Sequence, residues 1–169
     1  GRLAPHGCDE AKPASRRRRW ERWLANPRFD PRVVQQKLNQ SIWKCWHGTQ
    51  ALLLLDETPK ANDLRCLRVS LAYRHRAVPL ASICYRPHRL PKPMPKLVRQ
   101  VLASAVAQVP DGVSMVVIAD RGLAWPSIID WCQKHQCHYL LRLQSATRMR
   151  CSDGSIRAVK ELAPRPGCR

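Results

Sequence analysis

The segment Ala51-Leu-Leu-Leu-Leu-Asp56-Glu57-Thr58 is an uninterrupted apolar run that ends on two carboxylates. A short run of this kind suits a strand buried on both faces, and an acid directly after it stands where the backbone leaves the core. Met115-Val-Val-Ile-Ala-Asp120-Arg121-Gly122 repeats the arrangement, with another apolar strand delivering an aspartate to its carboxyl end. Two strands of this character belong side by side in one sheet. The expectation is that they are neighbours and that Asp56 and Asp120 meet.

The residues between the two runs fix their relative direction. Pro59 to Asp63 reads as a loop, after which Leu67, Val69, Leu71 and Tyr73 alternate with Arg68, Ser70, Ala72 and Arg74. That is the period of a half-exposed strand. Arg74-His75-Arg76 turns the chain and Ala77 to Tyr85 returns, giving a three-strand antiparallel meander with basic residues along one face and in the turn. Pro87 to Pro95 carries four prolines and reads as a stiff exposed linker. Leu97, Val98, Val101, Leu102, Ala105, Val106 and Val109 then mark a helix with a broad apolar stripe, ended by Pro110-Asp111-Gly112.

A helix crossing between two strands makes the new strand parallel to one already in the sheet. With the Asp56 strand as that partner, both aspartates emerge at the same sheet end on strands about 4.8 Å apart. Pro126 to about His135 is a further helix, with Ile128, Ile129 and Cys132 inward, and Cys137 to Leu143 is a fifth strand. The order β-β-β-α-β-α-β defines an α/β fold.

Ahead of this core, residues 1 to 15 read as irregular. Ser15 is placed to cap a helix carrying Arg16, Arg17, Arg18 and Arg19, with Trp20, Trp23 and Leu24 on one face. The four arginines lie at the helix start, which the helix dipole disfavours unless phosphates neutralise them. Both a DNA contact and a solvated basic face remain open for them. Asp30-Pro31 opens a second helix running to about Trp46, and its Trp43 and Trp46 are expected to pack against the core. Behind the core, Ser152-Asp-Gly154 is a hairpin turn between two short strands. The chain divides accordingly into a basic helical region (1–47), the α/β core (48–145) and the start of a truncated insertion or a tail (146–169). Gly1 at the start and Ala163 to Arg169 at the end, which closes no element, suggest a fragment.

Thirty Lys and Arg against twelve Asp and Glu give a formal charge of +18, while 44% hydrophobic residues suffice for a core. Such a field most often serves a polyanion, usually the phosphate backbone of nucleic acid. An anionic membrane is the weaker alternative, because no long amphipathic basic helix stands out. No apolar run approaches a membrane span and no signal peptide opens the chain, so a cytoplasmic location is expected. The eight cysteines fall partly inside apolar segments and are expected to be free thiols rather than a secreted disulfide set.

Two carboxylates held side by side repel each other, so a cation or a proton must neutralise them. Mg²⁺ suits such a pair, since it takes one or two carboxylates, keeps several waters and leaves positions for phosphate oxygens. The plain alternative makes Asp56 a strand-end aspartate of no chemical consequence. Glu57 is either an auxiliary ligand or solvent-exposed. Cys132, His135, Cys137 and His138 offer zinc-ligand types, but their short spacing across a helix-to-strand turn matches no finger pattern. A phosphatase of the haloacid-dehalogenase type would want Asp-x-Asp where Asp56-Glu57-Thr58 stands.

Leu-Leu-Leu-Leu-Asp56-Glu-Thr, followed after the crossover helix by Val-Val-Ile-Ala-Asp120-Arg121-Gly122, resembles the catalytic core of bacterial DDE transposases of the insertion-sequence-4-like group. The resemblance covers roughly residues 16 to 145. It implies a ribonuclease-H-like mixed sheet with flanking helices. It also implies metal-dependent DNA cleavage and strand transfer at transposon ends, with Asp56 and Asp120 as catalytic ligands of Mg²⁺ or Mn²⁺. Arg121 would lie near the phosphates, the region before Ala51 would grip transposon DNA, and a homodimer on the DNA is left open. The family's third acid, a helical glutamate in a Tyr-x2-Arg-x3-Glu pattern, has no counterpart. Tyr139 and Arg142 fit the spacing but lie on a strand, and Ala146 stands at the glutamate position. Glu161 is expected to lie outside any helix because of Pro164 and Pro166. The chain is therefore expected to carry an incomplete site, with the family's chemistry but little or no activity in this chain alone, and a catalytically inactive, nucleic-acid-binding remnant is the rival reading.

Overall fold

The computed structural model describes residues 13–28, 30–61 and 63–162. Cys8, Cys168 and the tail from Ala163 lie outside the described residues. The chain divides after Leu38 into two compact units. In the first, α1 (Pro13–Leu24) begins ahead of Ser15, which therefore sits inside the first turn and is not its cap. Pro13 starts the helix instead, its fixed φ being suited to that position. Arg16 to Arg19 are exposed along α1. Trp20 and Trp23 meet edge to face at 5.6 Å and remain 62% and 45% exposed. The helix α2 (Pro31–Lys44) starts at the expected proline and stops short of Trp46.

The second unit contains β1 (Gln50–Ala61), β2 (Leu64–Tyr73), β3 (Arg76–Tyr85), α3 (Met94–Val106), β4 (Ser114–Ala119), α4 (Pro126–Lys134) and β5 (His138–Leu141). These strands form one sheet in the order β3-β2-β1-β4-β5. β1 pairs antiparallel with β2 and parallel with β4, and β5 is parallel to β4. This is the expected α/β architecture: a three-strand meander joined to parallel strands, in a ribonuclease-H-like arrangement. Beyond it, β6 (Arg148–Arg150) and β7 (Ile156–Ala158) form the expected hairpin, with Gly154 at φ +81° in its turn. A single helical turn, α5 (Val159–Leu162), follows and includes Glu161, contrary to expectation. Glu161 supports its own turn by accepting a hydrogen bond from the Ala158 amide at 3.2 Å.

The core lies on one face of the sheet. Leu53, Leu55, Leu67, Val69, Leu71 and Val117 are buried there with Leu97, Val98, Val101 and Leu102 of α3 and Ile128 and Cys132 of α4. Trp43 joins this cluster and Trp46 packs against it, as expected of both tryptophans. The tryptophan rings meet at 5.3 Å. Asn39, buried at the start of this unit, donates through Nδ2 to the Leu80 carbonyl at 3.1 Å and to Gln108 Oε1 at 2.6 Å.

Three expectations about the strands are corrected. The leucine run is not buried on both faces: Ala51, Leu53 and Leu55 are closed off, but Leu52 is 37% exposed and Leu54 only half-buried. Conversely, β2 is more buried than its alternation implies. It lies between β1 and β3, and even Cys66 and Ser70 are covered. Finally, β1 does not end at Asp56, and Pro59 to Ala61 are strand where a loop was expected. The partner β4 stops at Ala119, yet β2 continues to offer backbone hydrogen bonds as far as Leu64. Pro59 is tolerated because it sits at a register irregularity beyond the end of β4, where its missing N–H is not needed. The meander then closes on Arg74 (φ 45°) and His75 (φ 61°), two left-handed residues as a tight hairpin requires.

Candidate carboxylate site at the sheet end

The parallel ladder of β1 and β4 runs from Gln50↔Ser114 to Leu55↔Ala119 without a break. Asp56 and Asp120 are the next position on each strand. Asp120 keeps an extended backbone (φ −78°, ψ 166°), so alternation carries both aspartates to the face of Leu54 and Ile118, away from α3 and α4. Their side chains are 58% and 66% exposed. The two acids thus share one end and one face of the sheet.

Local contacts orient each carboxylate. Asp56 Oδ2 accepts a hydrogen bond from the Thr58 hydroxyl at 2.6 Å, two residues along the same face of β1. Asp120 Oδ1 accepts from the Arg121 amide at 2.7 Å, capping the 3-10 turn over Arg121–Leu123. The Asp-Arg-Gly segment is thereby a cap as well as a carboxylate carrier. Arg121 itself is exposed.

An arginine flanks each acid on its outer side. Arg68 lies directly across β2 from Asp56 in the register, with Nη2 3.9 Å from Oδ2. Arg142, just past β5, places Nη1 3.7 Å from Asp120 Oδ1, and its amide donates to the Ala119 carbonyl at 3.0 Å. Across β2, β1, β4 and β5 the sequence of side chains is therefore Arg68, Asp56, Asp120, Arg142. Sequence reasoning missed both arginines as site residues. The hairpin register of β1 with β2, which pairs 56 with 68, was the signal that would have found Arg68.

Glu57 takes neither expected role. It points to the helix-covered face, where it accepts a 2.6 Å hydrogen bond from the Tyr85 hydroxyl and pairs with Arg65 at 3.3 Å. Burial, reinforced by the bond to Glu57, pushes the Tyr85 phenol well above its ordinary value.

The donor set suits Mg²⁺ or Mn²⁺, because two water-exposed carboxylates offer hard oxygens and leave room for the waters such an ion retains. Among the described residues no group of three or more His, Cys, Asp or Glu is arranged to hold a metal. Ala146 and Glu161 supply no third acid here. The zinc-type quartet does not converge: Cys132 and Cys137 are buried, His138 is exposed, and His135 stacks on Trp131 at 4.0 Å. Cys45, Cys66, Cys84, Cys132, Cys137 and Cys151 are free thiols, as expected.

Compared with protein-family models and with curated proteins, the chain gives no match. Among the described residues no helix is long and apolar enough to cross a membrane.

Proposed function

We propose that the chain is the catalytic-core portion of a DDE-type transposase, cutting and joining phosphodiesters at transposon ends with Mg²⁺ or Mn²⁺. The observation that supports this reading is the parallel register that runs to Leu55↔Ala119, after which Asp56 and Asp120 are the next residues at the same end of neighbouring strands. In this reading both carboxylates hold the ion. A pair of such ions held there would supply activation of the attacking oxygen and stabilisation of the leaving one. Thr58 and the Arg121 amide fix the carboxylate orientations, so the ligand oxygens need little reorganisation. Arg121 and the exposed Arg16, Arg17, Arg18 and Arg19 supply the charge that draws DNA to the protein. Transposon ends and target DNA are the proposed partners, with a homodimer forming on the DNA, in the cytoplasm and at the nucleoid.

One observation favours a second reading, a non-catalytic DNA-binding remnant. Each aspartate already has an arginine counter-ion, and the described residues hold no third carboxylate beside them. Nicking of supercoiled plasmid with Mn²⁺ or Mg²⁺, beside Asp120→Asn, separates the two. Nicking that disappears in the variant supports the transposase. Tight, salt-sensitive binding with no nicking supports the remnant and overturns the catalytic reading.

A further inference from the structure

We infer that Arg68 and Arg142 are phosphodiester ligands that the two aspartates occupy until a divalent cation takes the carboxylates. This inference rests on the reading of Asp56 and Asp120 as metal ligands. Its starting point is the incompleteness of both ion pairs. At 3.9 and 3.7 Å the guanidinium and carboxylate atoms attract electrostatically but lie beyond hydrogen-bond length. A guanidinium carries five N–H donors in a fixed fork, and neither pair uses them well. Arg68 is the sharper case: its side chain is only 29% exposed, and its Nε is buried with no hydrogen-bond partner. A donor in that state wants an acceptor the protein does not provide.

The chemistry of the row names the acceptor. Planar forks match the paired oxygens of phosphate, and pairs longer than a hydrogen bond, each with its aspartate more than half exposed, are weak enough to exchange partners. Arg68 and Arg142 bracket the carboxylates from β2 and β5, so a nucleic-acid backbone laid along the sheet end meets a guanidinium on either side of the acids. With both carboxylates ionised and no cation present, two positive and two negative charges cancel. A divalent cation on the carboxylates weakens both arginine pairs by like-charge repulsion and turns their donors outward. Cation binding and phosphate binding then strengthen each other, and the strengthening is reciprocal by linkage.

The test uses the full chain and a short labelled DNA duplex, with affinity read by fluorescence anisotropy at fixed ionic strength, with and without Mn²⁺. Mn²⁺ uptake without DNA is read separately by electron paramagnetic resonance. In the unaltered protein Mn²⁺ tightens duplex binding by about five-fold or more. Arg142→Gln and Arg68→Gln lose that tightening while taking up Mn²⁺ at least as well as the unaltered chain. Arg142 is 74% exposed, so its variant keeps the test valid if Arg68→Gln unfolds, which a thermal melt reveals. Tightening that persists in both folded variants overturns the arginine role and leaves the metal reading standing. Mn²⁺ uptake no greater than that of Asp56→Asn/Asp120→Asn overturns the metal reading itself.

Discussion

Along β1, neighbouring residues belong to two different environments. Leu53 and Leu55 are buried in the same cluster as the inward residues of α3 and α4. Leu52 and Asp56 stand on the opposite face, both reaching solvent, and there the chemistry-bearing side chains collect. Glu57, one step from Asp56, returns to the helix face and is consumed in a tie to Tyr85. The difference shows how one strand carries a rigid support and a reactive surface at once: the pleat assigns alternate residues to each. It also explains how two exposed carboxylates can be held in register, since the face behind them is fully packed.

The largest effect that tests this division is a truncation on the packed face. Leu53→Ala should lower unfolding free energy by about 3–4 kcal/mol, the usual loss for a fully buried leucine. Leu52→Ala, with 37% of its residue surface exposed, should lose less than about 1.5 kcal/mol. Urea unfolding of both variants measures the contrast. Similar losses would mean that the open face is covered after all.

Much of this arrangement was legible in the sequence, because it depends on connectivity. The apolar stripe of α3 required a crossover, and the crossover required β1 and β4 to be parallel, which brings Asp56 and Asp120 to one end. Which face each residue takes was less legible. Four consecutive leucines have no period, so the exposure of Leu52 is decided by helices elsewhere in the chain. The length of β1 depended on β2 remaining as a partner after β4 had ended. Arg68 read as one member of a polar stripe, and only pairing 56 with 68 makes it part of the site. The tie from Tyr85 to Glu57 joins residues 28 positions apart, beyond any local pattern.

Next in size is the response of the packed face to alkali. Burial, and less strongly the neighbouring Cys137, pushes Cys132 from 9.0 up to about 11. Burial raises Cys137 as well, and Tyr85 is held above 10.0. A group whose pKa is raised by folding contributes stability that is present in full below its unfolded value and lost as pH climbs through the folded one. Stability should therefore decline from about pH 9, with Cys132 alone accounting for about 2–3 kcal/mol by pH 11. Thermal melts across this range should show a shallower decline in Cys132→Ala, even though its starting stability is lower. An unchanged slope would show that Cys132 is not the thiol responsible.

A smaller effect isolates the tie beside the site. Tyr85→Phe keeps the ring in the core but removes the donor to Glu57, leaving that carboxylate to Arg65. The loss should be about 1.5 kcal/mol, within the range for a hydrogen bond to a charged group. Glu57→Gln retains an acceptor for the hydroxyl and should lose less, in the same urea titration.

The smallest effect separates the two duties of Asp120. Its carboxylate caps the turn after β4 through the Arg121 amide, and in the proposed reaction it also holds the cation. Asp120→Ala removes both and should lower stability by about 1 kcal/mol, the ordinary cost of a lost cap. Asp120→Asn keeps an oxygen that can accept from the Arg121 amide, so its stability should stay within about 0.5 kcal/mol of the unaltered chain. Nicking should nevertheless vanish in both, because a neutral amide is a far poorer ligand for a hard cation than a carboxylate. Retained stability with lost cleavage would place the open face in the chemistry and leave support to the packed face. Full nicking by the asparagine variant would confine Asp120 to its structural duty and remove the open face from the reaction.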